Sequence, residues 1–228
     1  MIPIRDEIRT RRTPIVNYLL IAANIAAFVL MWLAGSKQEA LVYQFALIPA
    51  NFTTGLSLGD VADIFTGMFM HAGLAHLGGN MLYLWIFGDN VEDSMGPIKY
   101  LAFYLVGGVV ASLAHILTNP GSEIPAVGAS GAIAAVLGAY LVLFPHSRVA
   151  TIIPILLLSY YLRVTMLPAA LVLGLWFVLQ LFSGVLSLGG PDVGGVAFWA
   201  HIGGFVAGVV MALLFGKRRR AGEYAARW

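Results

Sequence analysis

Val127-Gly128-Ala129-Ser130-Gly131-Ala132-Ile133-Ala134-Ala135-Val136-Leu137-Gly138-Ala139-Tyr140-Leu141-Val142-Leu143-Phe144 contains no acid, no base and no proline. An uncharged run of this length reads as a membrane-spanning helix, because a hydrocarbon core about 30 Å thick takes about 20 helical residues. Its small residues Gly131, Ala135 and Gly138 fall on one helical face, and such a face lets a second helix approach closely. Its one aliphatic hydroxyl, Ser130, stands near the start.

Working outward, five further apolar stretches occupy residues 15–34, 74–91, 97–117, 167–186 and 195–215. Ten of the eleven acids fall between or beyond these six stretches and the eleventh, Asp89, lies at the very end of its stretch, as the cost of placing charge in hydrocarbon requires. The 228-residue chain is 60% hydrophobic and 11% charged, whereas soluble domains carry roughly a quarter charged residues. The expected fold is an all-α membrane protein, a six-helix transmembrane bundle. The expected layout is a cytoplasmic N-terminal segment (1–14), a membrane domain (15–215) and a basic cytoplasmic tail (216–228). The first stretch follows fourteen mostly polar residues and has no small-residue cleavage site, so it is expected to be a retained span rather than a signal peptide.

Cysteine is absent, which removes disulfides, zinc-thiolate sites and thiol catalysis from consideration. The net charge of +2 comes from short basic runs beside apolar segments, a pattern of membrane topology rather than of nucleic-acid binding. Six spans put both termini on one side. Twelve of the thirteen Lys and Arg residues then lie on that side and only Lys37 lies opposite, which predicts cytoplasmic termini. Residues 35–73 are moderately apolar, with Pro49, Gly55 and Gly59, and read as a partly embedded outer loop or interfacial helices. Residues 149–163 are apolar but stop at Arg163, and are expected along the interface rather than as a seventh span.

Among the polar residues left inside the spans, His76, Asn80, His115, Ser130 and His201 stand out. Spans 2, 4 and 6 run in the same direction, so His76, Asn80, Ser130 and His201 all lie within the first few residues of their spans, at about 1.5 Å of depth per residue. They can share one pocket. His76 and Asn80 are four residues apart on one face, where two donors can aim at one oxygen. Ser130 sits at a helix start whose amides and dipole favour negative charge, and a neutral His201 at matching depth could take its proton. Gly204 and Gly208 on span 6 face the small residues of span 4, which would bring that histidine within reach of Ser130. Taken singly, each has a plainer reading: Ser130 as a helix N-cap, Asn80 as interhelical glue, His201 as a satisfied core histidine. His115 lacks an evident partner and reads as structural.

Three motifs on separate spans add a resemblance. Gly128-Ala129-Ser130-Gly131 resembles the G-x-S-G of rhomboid intramembrane serine proteases, Ala200-His201-Ile202-Gly203-Gly204 with Gly208 resembles their A-H-x-x-G-x-x-x-G, and His76 to Asn80 resembles their H-x-x-x-N. The resemblance implies Ser130 as nucleophile, His201 as general base and acid, and His76, Asn80 and the Ser130 N–H as oxyanion donors. It gives His71 a supporting role beside the motif residues Gly128, Gly131, Gly204 and Gly208, and makes the acidic turn Asp89 to Asp93, around Glu92, a structural anchor. It further implies a bacterial inner-membrane endopeptidase that cuts in or near the transmembrane helices of protein substrates, needs no cofactor or metal, and opens its site to the outer side. The aromatic residue that some members carry four positions after the serine is Ala134 here, which leaves the support of His201 open. The rival readings are a non-enzymatic rhomboid-like chaperone and a small-solute transporter, the latter weakened because no acid lies deep within a span, so that its solute would have to be neutral.

Overall fold

The computed structural model describes residues 1–154, 162–188 and 195–215; the expected basic tail, 216–228, lies outside these. Strand β1 (Ile2–Asp6) leads into helix α1 (Ile15–Leu33). A 3-10 turn (Gly35–Lys37) and three short helices follow, α2 (Gln38–Phe45), α3 (Asn51–Thr54) and α4 (Leu58–Gly67), which form the loop of helices expected over 35–73. Helix α5 (Leu74–Tyr83), a π-helical turn (Leu84–Gly88) and α6 (Asp89–Met95) make one continuous helical run. Helices α7 (Pro97–Thr118) and α8 (Ser130–Leu143) come next, then strands β2 (Arg148–Pro154) and β3 (Leu162–Pro168), then α9 (Ala169–Ser187) and α10 (Phe198–Phe215).

The six helical runs coincide with the six apolar stretches. Four of them, α1, α7, α9 and α10, are individually long and apolar enough to cross a bilayer. Their outward faces carry exposed Leu19, Leu30, Leu117, Val178, Leu186, Val206 and Leu213, a surface that only hydrocarbon solvates without cost. Helix α8 is different. It has 14 residues, about 21 Å at the helical rise, and every residue from Gly131 to Tyr140 is buried. The other helices therefore enclose it, and its length falls short of a hydrocarbon core about 30 Å thick.

Two devices hold the run 74–95 in place. Buried Glu92 accepts the backbone N–H groups of Val16 at 3.2 Å and Asn17 at 2.7 Å, which caps α1, whose own N-cap, Pro14, makes no side-chain cap bond. A carboxylate is favoured at that helix start, so the acidic turn does act as an anchor. The π turn is secured by fully buried Asn17, whose Nδ2 donates to the Leu84 carbonyl at 3.0 Å while its Oδ1 accepts from Tyr100 Oη at 2.8 Å.

Of the residues expected along the interface, 149–163, those numbered 155–161 lie outside the described residues, and the rest supply most of β2 and the start of β3. The antiparallel sheet has the order β1-β2-β3, with Ile2 opposite Ile152, Asp6 opposite Val149, and Thr151 opposite Thr165. It follows the end of α8 remote from Ser130. Asp6 ties the sheet to the bundle: its Oδ2 accepts from Tyr140 Oη at 2.6 Å and from Asn90 Nδ2 at 2.8 Å. Burial raises the Asp6 carboxyl from 3.8 to about 7, the Tyr140 bond opposes that rise, and the nearby Asp89 reinforces it.

The folded chain therefore keeps a proton at Asp6 between about pH 4 and pH 7 that the unfolded chain has released, and the stability this contributes is lost as pH rises through 7. Thermal unfolding in detergent should show a wild-type midpoint that falls across this window relative to Asp6→Asn, in which the group cannot ionise. Parallel curves for the two proteins would refute the assignment.

Candidate active site

Ser130 is the first residue of α8, and the N-cap position is Ala129. Its hydroxyl is turned away from capping: Ser130 Oγ lies 2.8 Å from Nε2 of His201, a buried residue in the first turn of α10. The first amides of α8 have no intrahelical partner, which leaves the N-terminal dipole directed at whatever occupies the space above the serine.

Glycine contacts make this approach possible. A methyl group on Gly204 would overlap the Gly131 carbonyl oxygen, and one on Gly208 would overlap the Ala135 carbonyl oxygen. Helices α8 and α10 thus touch backbone to backbone along the small-residue faces expected from the sequence. Helix α7 packs against both: its Gly107 abuts Ala135 of α8, its Gly108 abuts Ala132 and Met68, and its Ala114 abuts Gly203 of α10.

The turn before Ser130 is fixed from the outer loop. Leu47 and Ala126 exchange backbone hydrogen bonds, with Ala126 N to Leu47 O at 2.7 Å, and Gly128 N donates to Gly67 O at 2.9 Å. Gly128 has φ +127° and a Cβ there would lie 2.8 Å from His76 Cε1 and Nε2. Only glycine combines that backbone with that contact, so the His76 ring rests against the turn that carries the serine. Asn80, one turn further along α5, comes next: its Nδ2 is 3.6 Å from the same Cβ position.

Buried His71 Nε2 lies 2.9 Å from Asn80 Nδ2, and its ring meets that of His76 edge-on with centroids 5.1 Å apart. His71 thereby orients the amide and leaves the second Asn80 N–H to point elsewhere. Ser130, His201, His76 and Asn80 all line one broad open cavity between α5, α8, α9 and α10. His115 also lines it, but its Nδ1 pairs with Asn119 Nδ2 at 3.2 Å within its own helix end.

Two residues here were not anticipated from sequence. Gln180 Oε1 of α9 lies 2.7 Å from His201 Nδ1. Trp176, one turn earlier on α9, places its ring 5.8 Å from the His201 ring at an interplanar angle of 36°. The signal for Gln180 was present as the lone amide in span 5. Trp176 answers the question left by Ala134: an aromatic ring does flank the imidazole, supplied from α9 instead of α8.

The arrangement can place a nucleophilic oxygen, a proton acceptor and several hydrogen-bond donors around one point in an open, mostly apolar cleft. That is the minimum set for acyl transfer.

A family model described as the rhomboid domain matches residues 58–218. Among curated relatives, rhomboid protease GluP of Bacillus subtilis is 35% identical over 130 residues, covering 56% of this chain and 24% of that protein. Mitochondrial rhomboid protein 1 of Saccharomyces cerevisiae is 28% identical over 222 residues, 92% of this chain and 58% of that protein. The human mitochondrial presenilin-associated rhomboid-like protein is 31% identical over 135 residues, 58% and 34% respectively. The chain therefore matches between 24% and 58% of the length of these relatives. From the extent of the domain match, this multi-pass membrane chain belongs to the rhomboid family.

Proposed function

We propose that the chain is an intramembrane serine endopeptidase that hydrolyses peptide bonds in or near the transmembrane helices of other membrane proteins. The observation that carries the reading is the 2.8 Å approach of Ser130 Oγ to His201 Nε2, within the reach of a nucleophile and its base. Ser130 Oγ attacks the scissile carbonyl carbon as His201 Nε2 accepts the hydroxyl proton. The resulting oxyanion is met by the Ser130 N–H, Asn80 Nδ2 and His76. His201 then passes its proton to the departing amine, the C–N bond breaks and an acyl-serine remains. Water entering by the open cavity repeats the sequence and frees Ser130 as the acid product departs.

A substrate helix must unwind locally to present its carbonyl, so small or helix-breaking residues at the cut are favoured. Both termini are assigned to the cytoplasm from the basic residues, and the cavity to the outer side. A bacterial cell membrane is the proposed location, and the relatives named above come from a bacterium and from mitochondria.

The test is co-reconstitution in bilayers with a purified single-span reporter protein. Mass spectrometry should find two new termini within or next to the reporter's span, and pretreatment with a fluorophosphonate should abolish them. An intact reporter, together with no fluorophosphonate adduct on Ser130, would instead favour the non-enzymatic reading.

A further inference from the structure

The imidazole of His201 is held at both nitrogens, and only one of the two ways of placing its proton serves catalysis. With the proton on Nδ1, Nε2 has a free lone pair for the Ser130 hydroxyl; with the proton on Nε2, the ring donates toward the serine and cannot accept from it. The partner at Nδ1 decides between these. That partner is the Gln180 side chain, 2.7 Å away, and its amide oxygen can only accept. If the amide were reversed, its N–H would force the proton to Nε2.

We propose that Gln180 is a positioning residue that holds His201 in the tautomer protonated on Nδ1, with Trp176 one turn away fixing the plane of the ring. The proposal rests on the reading of His201 as the general base. Among the described residues that line the cavity none is an acid, so the orienting acceptor in this site is neutral. An amide oxygen supplies it without the cost of a carboxylate at membrane depth. Gln180 and Trp176 sit at i and i+4, hence on one face of α9, and that face meets the ring where α8 offers only Ala134. Trp176 is in turn backed by Phe205 of α10, with centroids 6.0 Å apart, so the ring is clamped between its own helix and α9.

The experiment uses the full chain with 15N-labelled histidine, in detergent, the His201 signals being identified by their loss in His201→Ala. At neutral pH the wild type should show the pattern of a proton on Nδ1. Gln180→Met, similar in shape but without an acceptor of comparable strength, should shift His201 toward the Nε2-protonated form. Fluorophosphonate labelling of Ser130 should slow in parallel. Losing a carboxylate that sets a catalytic tautomer costs about 10⁴ in rate, and a neutral outer partner is expected to be worth about 10- to 100-fold.

Gln180→Glu carries an acceptor oxygen in either protonation state and should recover rate relative to Gln180→Met. An unchanged tautomer in Gln180→Met, whatever happens to the rate, would overturn the proposal, as would Gln180→Glu remaining as slow as Gln180→Met at equal folded yield. A wild type that never labels at Ser130 would overturn the protease reading instead, and the histidine spectra would still decide the role of Gln180.

Discussion

Ser130→Ala and His201→Ala should each bring reporter cleavage and fluorophosphonate labelling to background, while Asn80→Ala keeps a measurable remainder. On the proposed mechanism, removing the attacking oxygen, or the nitrogen 2.8 Å away that takes its proton, eliminates the covalent route. Removing one oxyanion donor costs about 10²–10³ in kcat. Asn80→Ala leaves the His76 ring against the Gly128 turn and the Ser130 amide at the helix start, so its residual rate should sit between wild type and the two dyad variants. Since the three variants disturb one unit, their effects are not expected to multiply. Wild-type cleavage by purified Ser130→Ala would show that another group is the nucleophile.

Gly204→Val should be nearly as damaging, although it removes no reactive group. A side chain at 204 meets the Gly131 carbonyl oxygen, which is backbone next to the serine and cannot swing aside as a flexible side chain would. Helices α8 and α10 must part, and a misplacement of about 1 Å can lower a rate about 100-fold. Gly174→Ala on α9 is the matched control, because a methyl group there meets nothing within 4 Å; it should be neutral or slightly stabilising. Equal activity of Gly204→Val and wild type at equal folded yield would mean that the close contact does not set the geometry of the site.

Much of this was legible in the residues, for identifiable reasons. Lipid-facing helices announce themselves by length and lack of charge, and the observed limits of α1, α7 and α10 fall within a few residues of the apolar stretches. Ser130, His76, Asn80 and His201 stood out because polar groups in spans are few. The sheet was not legible. β1 is five residues long and includes Pro3, and its partner β2 is more than 140 residues away in the chain, a pairing that no local pattern encodes. In β2 the β-branched Val149, Thr151, Ile152 and Ile153 do favour a strand, but beside a membrane domain the same apolar run also reads as interfacial. Gln180 and Asn17 were missed because an amide in a span is uninformative until the neighbour it serves is known. For Gln180 that neighbour is His201, and for Asn17 it is the Leu84 carbonyl at the π turn.

The proposed site is built from uncharged residue types: a serine, histidines and an asparagine around the reacting carbonyl, with a glutamine behind the histidine. A membrane voltage does work only on charge that moves along the field, about 2.3 kcal/mol for one elementary charge carried across a full 100 mV. Here charge appears only as a short-lived pair, an imidazolium and an oxyanion separated by a few ångströms. Such a dipole spans about a tenth of the hydrocarbon thickness, so even if aligned with the field it would change the barrier by only about 0.2 kcal/mol per 100 mV. The chemical step should therefore run at nearly the same speed in an energised and a depolarised cell. A site built around a buried carboxylate that gains and loses its proton to one side of the membrane would lack that indifference.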